Sequence, residues 1–184
     1  FPTRRSSDLV GKILGLPYPG GINVSKLADS GDAYAFKFPK AKLTGKYDFS
    51  FSGLKTAVLR AAQEAVGKDY SLPSIELPGL LNDGQKANIA ASFQRVACET
   101  IVDKVIMAYE EFSPRRVVVG GGVAANSELR RQLAERLPAP IEYLDLKLCG
   151  DNGAMMATLG CFHIAEGRPP ADPYSLAIMP NLSM

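Results

Sequence analysis

Three short stretches of this chain hold residue types that could do chemistry. The first is Gly120-Gly121-Gly122-Val123-Ala124-Ala125-Asn126, preceded by Val117-Val118-Val119 and followed by Ser127-Glu128-Leu129-Arg130. Three β-branched residues predict a short buried strand, and three glycines strip the side chains from the turn that follows. Asn126 or Ser127 is a natural cap for the helix that opens there. Such a strand–turn–helix brings bare amides and the positive end of a helix dipole to one place, suited to a phosphate, a nucleotide edge or a carboxylate. The side chain of Asn126 offers both a donor and an acceptor. A tight turn whose glycines serve only packing and positive φ accounts for the same residues. The order is not that of a P-loop, since no Gly-Lys-Ser or Gly-Lys-Thr is present, nor of a GxGxxG turn with its partner acid.

The second stretch is Cys149-Gly150-Asp151-Asn152-Gly153. Asp151 suits a hard oxygen ligand to a metal or to phosphate-bound Mg²⁺. It suits equally an N-cap carboxylate on the apolar helix behind it, contributing about 1 kcal/mol. Cys149 reads as a small buried residue. The third stretch is Asp48-Phe49-Ser50-Phe51-Ser52-Gly53-Leu54-Lys55-Thr56. Ser52, Gly53 and Lys55 could line a polyanion site, or the segment is an edge strand with a serine cap on the next helix. His163 is the only histidine, so a His-based metal site cannot be completed from this chain. Between Phe162 and Ile164, with no acid beside it, it reads as structural or surface.

The elements that must position these residues follow from the hydrophobic period. A helical pattern is expected from residue 9 to 16, a short helix over 24–30, and strands at 35–38 and 47–52. Helices are expected over 54–66 and 85–111, the latter with the apolar stripe Ile89, Phe93, Val96, Ile101, Val105 and Ala108. Residues 67–83 read as a loop. The glycine-turn strand, its helix to about 137, a strand at 141–144 and a helix over 154–166 complete the pattern. Alternating strands and helices predict an α/β domain with at least partly parallel pairing, a mixed sheet flanked by helices. Both polar turns should then open on the same side of the sheet, beyond the strands' carboxyl ends. Residues 1–8 are basic, polar and aperiodic, and are expected to be foreign or unstructured, with residues 9–184 as one domain.

Composition narrows the classes further. With 46% apolar and 22% charged residues the chain has an ordinary globular balance, and a net charge of +2 is too small to imply nucleic-acid binding by itself. Cys98, Cys149 and Cys161 lack CxxC spacing, which argues for a reducing compartment and against a disulfide framework or a zinc site. No apolar run of membrane-spanning length and no leader-like segment are present, so the expected setting is cytoplasmic, without a membrane partner.

Taken in order, these segments resemble one family. Leu14-Gly15-Leu16-Pro17-Tyr18-Pro19-Gly20-Gly21, the segment from Phe49 to Thr56, Gly121-Gly122-Val123-Ala124-Ala125-Asn126 and Cys149-Gly150-Asp151-Asn152-Gly153-Ala154-Met155 look like the carboxyl-terminal half of the bacterial tRNA N6-adenosine threonylcarbamoyltransferases, the TsaD family, formerly called O-sialoglycoprotein endopeptidases. The resemblance covers about residues 9–180. It implies an actin-like, sugar-kinase-like ATPase (RNase H-like, ASKHA) lobe. It also implies transfer of the threonylcarbamoyl group from threonylcarbamoyl-adenylate to N6 of the adenosine beside the anticodon, in tRNAs reading codons that start with A. Gly21, Asn126, Gly121 and Gly122 match substrate-binding positions, and Asp8 falls at another by counting back from Gly21. Asp151 matches a ligand to a divalent metal, Fe²⁺ by the family's habit. TsaB-like and TsaE-like proteins are the implied partners. The family's His-x-x-Gly-His metal motif and its Ser-Gly-Gly-His loop are absent here, so the chain is expected to be a fragment inactive by itself. Two rivals remain open: a small-molecule kinase of the same fold, and a non-catalytic subunit of the modification complex. The old protease label lacks support, since no His-Glu-x-x-His helix exists here.

Overall fold

One long helix, α5 (Asp83–Phe112), runs through the molecule and takes part in both of its cores. The computed structural model describes residues 2–41, 45–150, 152–170, 172 and 174–175. Helix α5 starts at a capping box: Gln85 N–H donates to Asn82 Oδ1 (2.8 Å) and Asn82 N–H donates to Gln85 Oε1 (3.0 Å). It ends where Ser113 turns left-handed (φ 43°) ahead of Pro114. The first core packs α5's amino-terminal half against α1 (Pro2–Leu14), α2 (Gly20–Ala28), α3 (Ser52–Ala65) and the single turn α4 (Leu77–Leu80). Val10, Val58, Ala62, Leu77 and Ile89 are wholly buried there. Removing a side chain of valine or leucine size from water contributes about 1.5–3 kcal/mol.

The second core is smaller. Cys98 and Val102 on α5 pack with Leu129 and Leu133 of α6 (Ser127–Arg136), and with Val119 and Ile141 from the sheet. That sheet has two parallel strands among the described residues, β1 (Val117–Val119) and β2 (Ile141–Tyr143), in the register Val117↔Ile141, Val118↔Glu142 and Val119↔Tyr143. A helix therefore crosses between parallel neighbours, as the α/β reading expects. Helix α7 (Gly153–Ala165) is apolar in sequence, yet it has no buried residue, and Met155, Met156, Leu159, Phe162 and Ile164 are all exposed.

The largest departures from the sequence expectations lie between α2 and α3. No strand forms at 35–38 or 47–52; the first is irregular, and the second passes from a turn at Tyr47 through irregular backbone into α3, which begins at Ser52. Polar side chains spaced along one face of α5 hold this segment in place of a partner strand. Asn88 Oδ1 accepts from Asp32 N–H (2.8 Å), Ser92 Oγ accepts from Phe36 N–H (3.1 Å), and Arg95 Nε donates to the Ala33 carbonyl (2.7 Å). Further along, Lys40 pairs with Asp103 (2.7 Å) and Glu99 (3.1 Å), and Glu111 takes both Lys46 and the Tyr47 hydroxyl. The Asp32, Ala33 and Phe36 backbone groups thus find partners on helix side chains in place of a strand ladder. Residues 2–8, expected to lack structure, lie within α1, and the supposed loop at 67–83 contains α4.

Candidate functional site

The parallel register places the ends of β1 and β2 side by side, so the two polar turns open at one end of the sheet, as expected. Leu144 N–H donates to the Val119 carbonyl (3.1 Å), tying the chain after β2 to the start of the glycine turn. The three glycines have different tasks. A Cβ on Gly120 would stand 2.5 Å from Leu144 Cδ1, the end of an exposed side chain that could swing aside. Gly121 has φ +86° and ψ 168°, a backbone conformation essentially reserved for glycine that costs other residues about 1–3 kcal/mol. A Cβ at Gly121 or Gly122 would meet nothing within 4 Å, so both backbones face open space. A 3₁₀ turn, Gly122–Ala125, then delivers the chain to Asn126.

Asn126 is the hub of this region. Its Oδ1 accepts from Leu129 N–H (2.9 Å), capping α6, and also from the Cys98 thiol (3.6 Å). Its Nδ2 donates to Gln94 Oε1 (3.0 Å) and reaches Ser25 Oγ (3.4 Å). One amide thus ties α2, α5 and α6 together. Burial pushes the Cys98 thiol up to about 12, helped by the nearby Glu128 carboxylate, which makes it a packing group rather than a nucleophile. Beside the hub lies a depression of about 390 Å³ lined in part by Asp29, Gln94, Ser127, Glu128 and Arg131. Burial alone would raise the carboxyl of Glu128, but hydrogen bonds from Arg131 and Gln132 outweigh it and hold it below the usual range.

Gly21 sits exposed in the first turn of α2, and Ser25, one turn further on, is the residue that meets Asn126. The same helix therefore brings Gly21 to the hub's side of the molecule. Asp8 lies next to Gly21: its Oδ1 accepts from Gly20 N–H (2.9 Å), so the carboxylate serves the amino terminus of α2. Gly20 itself is required by the approach of α1, since a Cβ there would stand 2.5 Å from Asp8 Cα.

The second turn differs from its sequence reading in one respect. A 3₁₀ turn, Leu146–Leu148, separates β2 from it, and the cap of α7 is Asn152, whose Oδ1 accepts from Met155 N–H (2.9 Å). Asp151 lies outside the described residues. Cys149 is buried, as expected, its thiol 3.7 Å from the Leu144 carbonyl, and His163 lies exposed in the last turn of α7. At the third stretch, Ser52 does not cap α3. The cap position is Phe51, without a side-chain bond, and Ser50 Oγ accepts from Ser52 N–H (3.3 Å).

Sequence reasoning missed Gln94. It lies inside the longest apolar pattern of the chain, where a single buried glutamine carries no signal of its own until Asn126 is placed against it. No group of three or more His, Cys, Asp or Glu able to hold a metal occurs among the described residues, and no described helix is long and apolar enough to cross a membrane.

A family model described as TsaD, tRNA N6-adenosine threonylcarbamoyltransferase, matches residues 3–158. Three curated relatives of that same name show the extent of the likeness. That of Chlamydia trachomatis serovar L2b (strain UCH-1/proctitis) is 48% identical over 153 residues, covering 83% of this chain and 44% of the relative. That of Geobacter sulfurreducens is 43% identical over 165 residues, covering 88% and 45%. That of Paracidovorax citrulli is 42% identical over 179 residues, covering 95% and 48%. The chain spans about half the length of the curated relatives it matches.

Proposed function

The chain belongs to the TsaD family, the tRNA N6-adenosine threonylcarbamoyltransferases, and on that premise we propose that it is one lobe of such an enzyme, actin-like in fold, working on tRNA in the cytoplasm. The observation that carries this reading is the family match itself, because residues 3–158 contain Gly21, Gly121, Gly122, Asn126 and Asp151 in one continuous span. The half-length match and the uncovered apolar surface of α7 both fit a lobe completed by further protein.

The reaction needs little covalent chemistry from side chains. The adenine N6 amine attacks the carbamoyl carbonyl of threonylcarbamoyl-adenylate, the bond from that carbon to the phosphate oxygen breaks, and AMP leaves with the electron pair while N6 loses a proton. The absence of a Ser/His or Cys/His pair is consistent with this. The side-chain-free backbone at Gly121 and Gly122 suits the adenylate's phosphate. The depression beside Asn126 has the volume of a small-molecule site, which runs from about 300 to 1,000 Å³. Its carboxylates, Asp29 and Glu128, suit sugar hydroxyls better than phosphate. Asp8 would act beside Gly21 through the carboxylate oxygen that Gly20 leaves free.

The described residues do not fit the family's divalent metal, Fe²⁺: one exposed histidine on α7 and no acidic or thiol cluster make no donor set. Asp151 would be one ligand, with the others coming from outside this chain. TsaB-like and TsaE-like proteins would be the partners of the assembled enzyme.

The test is reconstitution. The chain, co-expressed with the amino-terminal half of a relative such as that of Geobacter sulfurreducens, is supplied with TsaB-like and TsaE-like proteins, tRNA and threonylcarbamoyl-adenylate, and modified adenosine is measured by mass spectrometry. Transfer that requires both halves and is abolished by Asp151→Ala with loss of bound metal supports the reading. Co-folded halves that transfer nothing, or an Asp151→Ala enzyme with full activity and metal, refute it. Preference for ATP over the adenylate in competition would point instead to a kinase.

A further inference from the structure

The 35–39 stretch and the exposed face of α3 from Gly53 onward are not used by the adenylate site, yet together they form a second concavity. A groove of about 640 Å³ runs between the 35–39 segment and α3. The rings of Phe36 and Phe38 line it, nearly parallel (6°) with centroids 6.0 Å apart, each half-buried against the first core. Lys37, exposed on the same wall, and Arg60, exposed on the α3 wall, also line it. Neither forms an ion pair among the described residues, whereas Lys40, Arg95, Arg131 and Arg136 are each tied to a carboxylate. Thr56 adds a hydroxyl, and Glu64 lies among the groove's α3 residues, one helical turn beyond Arg60.

The aromatic wall is fixed before any ligand arrives. Ser92 Oγ holds Phe36 N–H at 3.1 Å and itself donates to the Asp32 carbonyl (3.2 Å), while Arg95 holds the Ala33 carbonyl. Parallel aromatic faces beside unpaired cations match a strand that alternates flat bases with phosphates. An acidic peptide would use the cations but has no use for the rings. A duplex hides its base faces in the stack, so the match is to unpaired nucleotides.

We propose that this groove is a single-stranded RNA site that holds unpaired nucleotides of the tRNA substrate, with bases against Phe36 and Phe38 and phosphates on Lys37 and Arg60. The proposal rests on the tRNA-modifying reading above and adds to it the surface that grips the RNA.

The test uses the 184-residue chain and a fluorescein-labelled anticodon stem–loop RNA, with binding followed by anisotropy over a series of salt concentrations. Lys37→Glu with Arg60→Glu should weaken binding at least about tenfold. It should also lower the slope of log K against log salt by about 1.4, as expected for two single-strand phosphate contacts. Lys12→Glu with Arg115→Glu makes the same charge change at residues that do not line the groove and should shift binding less than about twofold. Glu64→Gln should tighten binding by about two- to threefold. Unchanged circular dichroism and melting temperature show that the variants are folded, and Lys37→Gln with Arg60→Gln replaces the reversal if they are not. Equal RNA binding by the parent and the groove variant overturns the groove while leaving the transfer reading to the reconstitution assay. A parent chain that binds no RNA, or a polyglutamate peptide that competes as well as RNA, also overturns it.

Discussion

Replacing Asn126 should unfold part of the molecule before it reveals anything about ligands. Asn126→Ala removes the cap on Leu129 N–H, a loss of about 1 kcal/mol. It also leaves Gln94 Oε1 without its 3.0 Å donor on a side chain only 9% exposed, which costs about 1–3 kcal/mol for an orphaned buried acceptor. The expected total is about 2–4 kcal/mol, a large share of the stability of an ordinary domain. Urea denaturation followed by far-UV circular dichroism measures it. Asn126→Asp separates the two contributions: a carboxylate oxygen still caps α6, with the helix dipole in its favour, while the donor to Gln94 is gone. A double-mutant cycle with Gln94→Leu completes the test. Because the second substitution removes the group that the first leaves unpaired, the double variant should be less destabilised than the sum of the singles by about 1–2 kcal/mol. A loss below about 0.5 kcal/mol for Asn126→Ala, or additivity within the same margin, would falsify the hub. Weakened adenylate binding in Asn126→Ala is then informative only under conditions where the variant is shown to be folded.

Other perturbations have equally definite outcomes. Gly31→Ala drives a Cβ into the Ala87 carbonyl on α5 and should cost about 3 kcal/mol or more, whereas Gly122→Ala meets open space and should change the melting temperature little. Ellman's reagent should modify exposed Cys161 in the native state but reach buried Cys98 only on unfolding; fast reaction at Cys98 under native conditions would contradict its packing role. Asp103 is opposed by burial but held below the usual carboxylate range by hydrogen bonds from Lys40 and Arg136. A carboxyl depressed in the folded state stabilises above its unfolded pKa, and that contribution is lost as pH falls through its folded value. Thermal stability should therefore decline below about pH 5, and Asp103→Asn should make that decline shallower; an identical pH profile would exclude it.

Much of the fold was legible in the chain because it depends on local regularities. The helical periods at 54–66 and 85–111 became α3 and α5 with ends displaced by a few residues, and Val117-Val118-Val119 became β1. Asn126 was legible as a cap, since short polar side chains before an apolar helix satisfy its free amides. The strand expected at 35–38 failed for a non-local reason: alternation describes a segment that can pair, and what the 32–36 backbone met was a row of α5 side chains. The strand expected at 47–52 is instead cut short by α3, which begins at Ser52. The cap of α7 is Asn152, a short polar side chain of the kind that favours this position.

The glycine turn, the Asn126 cap and the family's order of segments were set down in sequence, because each depends on residues within a few positions of one another. Only the tertiary structure joined Asn126 to Gln94, Cys98 and Ser25, residues 28 to 101 positions away along the chain. Only it turned Phe36, Lys37, Phe38 and Arg60 into one groove. Hydrophobic period and capping are short-range properties that a sequence carries openly. Which buried amide faces which, and which cation is left without a partner, is decided when distant elements share the same core.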